Sequence, residues 1–246
     1  MRLGQTAIST AVALTLTASS ASATVHFIEP GGWAPGDSQT THQHWDYLAS
    51  GTDNAPDVGH LTTPTGLDAP TLSVQDPGIR TSTGNFYAFS ADYGVTAEFA
   101  NHGGASGSYS GAAGTHVIIQ TAGTLSGGAG LDVDSLNLVT LDGESIVDGD
   151  NASRLRADEI WRGTISSTFG DVTQQELILE FFLPGYSDDF RIQWDQAVHS
   201  SFDQLRVDTI LANEALAVTP VPEPTSVALL GVAGLMLLHR RRCGEV

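Results

Sequence analysis

The chain has 246 residues, of which 28 are acidic and ten are basic, and its formal net charge at pH 7 is −18. A surface this negative repels nucleic acid and anionic lipid headgroups, so neither is expected as a partner. The single cysteine, Cys243, lies close to the C-terminal end. The chain before it therefore has no disulfide, no thiolate metal site and no cysteine nucleophile.

The first 23 residues have the three parts of a secretory signal peptide. Arg2 supplies a sparse positive charge, residues 7–18 are moderately apolar, and Ala21-Ser22-Ala23 fits the small-x-small rule for cleavage. We therefore expect export by the Sec machinery and a mature chain that starts at Thr24. A disordered tail rich in alanine and threonine is the alternative interpretation.

The segment 24–219 is long enough for one large β domain. It holds 26 of the 28 acidic residues and six of the ten arginines, so its net charge is −20. Helical periodicity is nearly absent, and short runs of alternating hydrophobicity are separated by stretches rich in glycine and serine. The predicted strands are, in chain order, 25–28, 44–48, 71–75, 86–90, 95–99, 116–121 and 136–141, with another seeded at Ile160-Trp161.

Three further strands are predicted towards the end of this segment. Residues 176–183 and 190–194 flank the turn signal Pro184-Gly185-Tyr186, which predicts a hairpin with a longer loop. Residues 202–210 are predicted as a closing strand. Alternation assigns the following side chains to inward faces: Leu177, Leu179, Phe181 and Leu183 in the first strand, and Leu205, Val207 and Thr209 in the last.

Regular short strands with turn signals between them predict an all-β, two-sheet sandwich, and we expect a jelly roll. A β-helix or solenoid is the alternative, although the sequence shows no repeat period. The run 201–208 is similar to the closing strand of jelly-roll domains in carbohydrate-binding and concanavalin-like proteins. No binding residue is carried over from that similarity.

Two groups of residues are candidates for metal binding. His42 and His44 lie on one face of a strand, about 7 Å apart along it, where Asp46 or His60 could join them around zinc or copper. The alternative is that they are ordinary surface histidines. Asp148 and Asp150, in Asp148-Gly149-Asp150-Asn151, are candidate ligands of a structural calcium ion. The alternative is ordinary turn chemistry, which the same residue types favour.

The sequence offers no catalytic residues, so an enzyme is not expected. Glu176 and Glu180 share a strand face but lie roughly 13 Å apart along it, which is too far for a retaining carboxylate pair and wide for an inverting one. The run 107–111 has Tyr109 where a nucleophile elbow needs serine. There is also no phosphate-binding loop.

Aromatic side chains are the remaining candidates for ligand binding, because their faces can stack on sugar rings. Trp33, between Gly32 and Ala34 in a loop, is the residue that we expect to be exposed for this purpose. Trp194 shares a strand face with Ile192, which favours a place in the core.

The C-terminal tail combines three elements in a fixed order. Val221-Pro222-Glu223-Pro224 precedes an apolar run without charge, 225–238, and Arg240-Arg241-Arg242 follows. As a helix the run is about 21 Å long, which is short for a hydrocarbon core of about 30 Å. The arginines mark a cytoplasmic end and can extend the reach towards headgroups. A buried C-terminal helix of a globular domain is the alternative, but the run lacks an amphipathic pattern.

This tail resembles the PEP-CTERM sorting signal of bacteria that make extracellular polysaccharide. The resemblance covers about the last 26 residues, and the motif, the short transmembrane helix and the arginine cluster match in order and spacing. It implies recognition by a membrane-embedded exosortase, and cleavage near residues 222–224. The chain departs from the pattern in the four residues 243–246 that follow the arginines.

These signals predict an exported protein that is anchored by its C-terminal helix before processing and then reaches the outer surface or extracellular matrix. We expect a structural or exopolysaccharide-associated role without catalysis and without a required cofactor. A carbohydrate-binding module with a structural calcium ion is the first alternative. A polysaccharide hydrolase or lyase of jelly-roll fold is the second.

Overall fold

The structure is a computed structural model that describes residues 25–37, 39–48, 58–61, 70–81, 84–102, 114–146, 153–167, 170–186 and 188–213. Among these residues no helix has the length and apolarity needed to span a membrane. The predicted signal peptide and the predicted C-terminal helix lie outside them. The described strands are β1 (Thr40–Trp45), β2 (Val58–Leu61), β3 (Thr71–Val74), β4 (Ile79–Arg80), β5 (Phe86–Tyr87), β6 (Tyr93–Phe99), β7 (Gly114–Thr124), β8 (Asn137–Thr140), β9 (Ser153–Ser167), β10 (Gly170–Pro184), β11 (Phe190–Gln196) and β12 (Ser201–Ala212).

The strands form two antiparallel sheets, as a β sandwich requires. The large sheet has eight strands in the order β2-β1-β12-β7-β10-β9, and the short ribbon β4–β5 joins it through the start of β12. The small sheet has four strands in the order β3-β6-β11-β8. The all-β prediction is therefore confirmed for the described residues.

The main core lies between the two sheets and is built by strict alternation along the strands. In β6, Tyr93, Val95, Ala97 and Phe99 are buried while the residues between them are partly exposed. The inward faces predicted for 176–183 and 202–210 are confirmed, because six of the seven side chains belong to the main core cluster and Thr209 is fully buried on the same face of β12. Aromatic rings bridge the two sheets, with Trp45 and Phe99 centred 5.4 Å apart and Trp194 and Phe202 5.0 Å apart.

Most predicted strands coincide with observed ones, but three need correction. Residues 25–28 form no strand in the structure. The strand expected at 44–48 lies earlier, at 40–45, and the one expected at 86–90 contains only Phe86 and Tyr87. Short apolar runs do not by themselves make a strand, because a strand also needs a partner that supplies hydrogen bonds, and residues 89–90 form a bend.

The predicted hairpin between 176–183 and 190–194 is wrong. β10 pairs with β7 and β9 in the large sheet, whereas β11 pairs with β6 and β8 in the small sheet. The turn after Pro184 therefore carries the chain from one sheet to the other. The last strand, β12, is an interior strand between β1 and β7. Alternation along a strand reports which face is apolar but not which strand lies alongside it.

Candidate functional site

An N-terminal strap, residues 25–34, crosses the outer face of the large sheet. The backbone N–H of His26 donates to Oε2 of Glu176 on β10 at 2.7 Å. Ile28 exchanges two hydrogen bonds with the side chain of Gln120 on β7, at 2.8 and 2.9 Å. Arg206 on β12 donates to both carboxylate oxygens of Glu29, at 2.9 and 2.8 Å. Side chains of three adjacent strands thus hold an extended segment that has no strand partner of its own.

The strap also covers apolar surface on this outer face. Trp33 packs with Ile118 of β7 and Ile178 of β10 in a second hydrophobic cluster. Its side chain is buried, so the expectation that Trp33 is exposed for ligand stacking is wrong. The physical reason is that the large sheet presents an apolar pair here, and the indole covers it. The predicted core position of Trp194 is confirmed.

Beneath the strap lies a network of buried ionisable groups centred on Asp208. Arg206 donates through Nε to Oδ2 of Asp208 at 2.7 Å, and Nδ1 of His42 lies 2.6 Å from Oδ1. The Asp208 side chain is fully buried. Burial alone would lower the pKa of Arg206, but the carboxylates of Glu29 and Asp208 raise it above its ordinary value. The hydrogen bond from Arg206 also lowers the pKa of Glu29. Arg206 and Glu29 are therefore held as ions.

Two further buried carboxylates have their own partners. Glu180 accepts a hydrogen bond from Nη1 of Arg156 at 3.0 Å and lies 3.5 Å from Nε2 of His116. Glu176 accepts from Nε2 of Gln174 at 2.9 Å, in addition to the strap. Both glutamates are fully buried on the face opposite the main core. Glu180 forms a buried ion pair with Arg156, whereas Glu176 is held by hydrogen bonds from the strap and from Gln174. The two carboxyl groups lie on one face of the same strand and do not face each other across an open groove.

The histidine pair behaves partly as the sequence predicts. His42 and His44 share the outer face of β1, with ring centroids 6.3 Å apart. Nδ1 of His42 is committed to Asp208, and burial lowers the pKa of His44. Within the described part of the chain, no three histidine, cysteine, aspartate or glutamate side chains are grouped to hold a metal ion. The zinc or copper interpretation therefore gains no support from the geometry.

The exposed large apolar side chains Tyr47, Ile79 and Phe89 lie around the ribbon β4–β5, and the partly buried Tyr87 lies beside Phe89. We call this group of four residues the ribbon patch. Phe89 is 68% exposed, Tyr47 57% and Ile79 46%, and no other large hydrophobic residue in the described ranges is exposed to this degree. Ile79 and Tyr87 are cross-strand neighbours. The rings of Tyr87 and Phe89 meet edge to face with centroids 4.7 Å apart.

Polar groups border the ribbon patch. The hydroxyl of Tyr87 lies 3.3 Å from Nδ1 of the exposed His199, which adopts a φ of 61° that non-glycine residues seldom adopt. On the other side, Tyr47 lies against Gly84, whose φ is +85°, and a Cβ at that glycine would collide with the tyrosine ring. Backbone geometry therefore positions the side chains on both sides of the ribbon.

Asp203 ties the ribbon to the large sheet. It accepts hydrogen bonds from Ser201 at 2.7 Å and from the side chain of Asn85, in the loop that joins β4 to β5. Burial raises the pKa of Asp203 to about 6, and the two hydrogen bonds oppose that rise. Asp203 thereby connects the loop between β4 and β5 to β12.

The remaining predicted residues lie outside the described ranges. They are the signal-cleavage residues Ala21, Ala23 and Thr24, the calcium candidates Asp148 and Asp150, the sorting motif Val221, Pro222, Glu223 and Pro224, and the cluster Arg240, Arg241 and Arg242.

The ribbon patch was not predicted from the sequence, although a signal for it was present. In the run 86–89, Phe86 and Ala88 are fully buried, whereas Tyr87 is partly exposed and Phe89 is exposed. Aromatic residues at alternate positions of the run 86–90, which was predicted as a strand, are the signal that could have identified it. Comparison of the chain with protein-family models, with curated proteins and with solved structures finds no match in any of the three.

Proposed function

We propose that this chain is an exported protein that a PEP-CTERM-type signal sorts to the cell envelope or extracellular matrix, where it has a non-catalytic, structural or exopolysaccharide-associated role. The observation that carries the proposal is the order of three elements in the tail: the motif 221–224, the apolar run 225–238 and the arginine cluster 240–242. The expected partners are the Sec machinery, an exosortase and extracellular polysaccharide.

The organisation of the charged residues supports a role without catalysis. The buried acids Glu176, Glu180 and Asp208 are each hydrogen-bonded to internal partners and are covered from solvent. The large apolar side chains that the described part of the domain exposes, Tyr47, Ile79 and Phe89, lie around its ribbon. Such a surface suits adhesion to a neutral polymer better than acid–base chemistry, which needs a titratable group within reach of a substrate.

A stable fold without disulfides also agrees with the proposal. The only cysteine lies beyond the predicted membrane run, so the exported domain depends on packing, strand pairing and ion pairs. His26 lies two residues after the predicted mature start, Thr24, and is bonded to the large sheet. The new N-terminus would therefore be anchored directly beside the cleavage position.

The strand connections support a jelly roll as the finer fold assignment. From β6 onward the chain alternates between the sheets: β7 lies in the large sheet, β8 in the small one, β10 in the large one, β11 in the small one and β12 in the large one. β11 inserts between β6 and β8, and β12 inserts between β1 and β7. These insertions are the Greek-key pattern of such folds. β9 departs from it, because it pairs with β10 in the large sheet.

The test is intact-mass spectrometry of the protein from producing cells with the exosortase gene intact and deleted. With the exosortase present, we expect an N-terminus at Thr24, a C-terminus near residues 221–224 and recovery outside the cytoplasm. Deletion should leave residues 225–246 attached and move the protein to the membrane fraction.

A variant with Pro222→Ala and Pro224→Ala should reproduce the deletion in cells with the exosortase intact, because a helical motif offers the enzyme no extended peptide. A Thr219→Ala variant is the matched control and should be processed normally. A full-length cytosolic protein with both ends uncut in all of these cells would refute the proposal.

A carbohydrate-binding module is the second candidate, and the ribbon patch is the observation that favours it. The calcium that was expected to accompany it depends on Asp148 and Asp150. Binding to a polysaccharide that is lost when calcium is chelated would support a carbohydrate-binding module with a structural calcium ion.

A further inference from the structure

Three carboxylates are fully buried on the outer face of the large sheet, and two of them are paired with an arginine. Asp208 lies 2.7 Å from Nε of Arg206, and Glu180 lies 3.0 Å from Nη1 of Arg156. The third, Glu176, has no arginine partner among the described residues, where its ion-pair partner is a histidine. Burying a carboxylate is costly unless a positive charge and hydrogen bonds compensate it. The described chain therefore supplies no permanent cation for Glu176.

The polar groups around Glu176 include an acceptor without a donor. Glu176 accepts from the backbone N–H of His26 at 2.7 Å and from Nε2 of Gln174 at 2.9 Å, and Nδ1 of His26 lies 3.1 Å from its Oε1. The imidazole is charged only when it is protonated, and it is 44% exposed. Gln174 is 1% exposed, and its Oε1 has no hydrogen-bond partner in the part of the chain that the structure describes. Buried amide oxygens are nearly always hydrogen-bonded, so this atom points to a further donor.

The predicted mature N-terminus lies within reach of this site. An extended chain advances by at most about 3.6 Å per residue, so the backbone nitrogens of Thr24 and His26 are at most about 7 Å apart. The nitrogen of His26 is itself 2.7 Å from Glu176. Cleavage after Ala23 changes the nitrogen of Thr24 from an amide into an α-amino group. Such a group has an ordinary pKa of about 8, so at pH 7 it is a cation.

We propose that the outer face holds a binding site for the new N-terminus of the chain, in which the α-ammonium group of Thr24 pairs with the Glu176 carboxylate and donates to Oε1 of Gln174. This inference rests on the proposed export, because the ammonium group exists only after signal cleavage. It goes beyond that function, since it assigns a cation to Glu176 and makes cleavage a step that stabilises the strap. Hydrogen bonds between charged groups are stronger than those between neutral ones.

The chain permits a selective test, because it contains no lysine. In the processed protein the α-amino group is therefore the single primary amine. The probe is N-hydroxysulfosuccinimide acetate, which acetylates only the uncharged amine, so an ion pair and burial both slow the reaction. Acetylation at pH 7 is followed by intact-mass spectrometry of the protein recovered from producing cells. We expect the amine to react at least about tenfold more slowly in the folded protein than in urea, which is the change that one pKa unit produces.

Two variants remove the partners of the ammonium group. Glu176→Gln should abolish most of the protection, and Gln174→Leu, which lacks the accepting oxygen, should abolish part of it. Glu180→Gln is the matched control, because it replaces a fully buried glutamate on the same face of β10. Glu180 lies roughly 13 Å farther along the strand, so this variant should keep the protection of the parent. Thermal melting verifies that each variant is folded, and the comparison of folded parent with urea requires no variant.

Three results would overturn the inference. The first is a folded parent whose amine reacts as fast as it does in urea. The second is equal protection in the parent and the Glu176→Gln variant, the result expected if Glu176 is a neutral acid. The third is an equal loss of protection in the Glu176→Gln and Glu180→Gln variants, which would attribute the effect to general destabilisation.

The proposed sorting function fails separately. A chain that starts at Thr24 with a freely reacting amine refutes the N-terminal site alone. A chain that starts at Thr24 with a protected amine but keeps residues 225–246 refutes the sorting alone. A chain that starts at another residue refutes both the predicted cleavage and this site.

Discussion

Burial distinguishes the ion pair between Arg206 and Asp208 from that between Arg162 and Glu159, although the two have nearly the same length. Arg206 lies 2.8 Å from Glu29 and 2.7 Å from Asp208, and its side chain is 8% exposed. Arg162 lies 2.6 Å from Glu159, but its side chain is 46% exposed. Solvent screens the second pair, whereas Asp208 has exchanged water for two protein partners. Distance alone therefore says little about the contribution of either pair.

Arg206→Leu should lower the free energy of unfolding by about 3–5 kcal/mol, because it leaves the Asp208 carboxylate buried with His42 as its remaining partner. The matched change Arg162→Leu should cost at most about 1 kcal/mol. Urea denaturation followed by circular dichroism measures both. Equal effects of the two substitutions would show that the buried network is not what stabilises the outer face.

Asp203 gives the protein a specific pH dependence. Its folded pKa of about 6 lies above the ordinary value of 3.8, so between these two pH values the folded state binds a proton more tightly than the unfolded chain. The contribution of this group to stability is therefore present at low pH, falls as the pH rises through that window and stays low above about 6.

Asp203→Asn should remove that dependence while keeping an oxygen that accepts from Ser201. We expect the variant to be more stable than the parent by about 1–3 kcal/mol at pH 7 and nearly equal to it at pH 4. Chemical denaturation at both pH values measures the difference. Asp195→Asn, a change at an exposed aspartate of β11, is the control. A stability difference that is the same at pH 4 and pH 7 would contradict the assignment.

At the scale of elements, β10 departs from an ordinary sandwich strand because it is buried on both faces. Its inward side chains belong to the main core, and its outward residues Glu176, Ile178 and Glu180 are fully buried as well. The strap makes the difference, because it covers Ile178 with Trp33 and bonds Glu176 through His26. Alternation predicted the inward face of this strand and described the other face only as mixed.

Ile178→Ala should cost about 2–4 kcal/mol, as for a core isoleucine, although the residue lies on the outer face of the sheet. Ile79→Ala, at an exposed position, should change stability by no more than about 0.5 kcal/mol. Because Trp33 packs on Ile178, the double variant with Trp33→Ala should cost less than the sum of its parts, by about 0.5–3 kcal/mol. Additive effects in urea denaturation would mean that the strap does not cover this residue.

At this scale the positions of several strands could be predicted from the sequence, but their pairing could not. The runs 95–99, 116–121 and 190–194 lie within observed strands, because alternation with period two is a local property of the chain. The partners of these strands could not be read in the same way. The turn at Pro184-Gly185 was interpreted as a hairpin, since a turn signal does not report whether the chain returns to the same sheet or crosses to the other.

At the scale of the whole molecule, contacts between distant residues decide the architecture. His26 and Glu176 are 150 positions apart, and Glu29 and Arg206 are 177 apart. The strap therefore finds its partners only where β7, β10 and β12 lie side by side. Each of these contacts closes a long segment of chain, at a cost in chain entropy. Patterns among neighbouring residues carry no information about such distant contacts.

The amino-acid sequence by itself determined the all-β class, the inward faces of the last strands, the strong negative charge and the expectation of two sorting signals. Each of these follows from composition or from a pattern within a few neighbouring residues. Tertiary structure alone decided that Trp33 is buried, that β10 and β11 belong to different sheets and that Tyr47, Ile79 and Phe89 lie around one ribbon. The reason is that burial and pairing depend on which surfaces meet in space, and those surfaces come from distant parts of the chain.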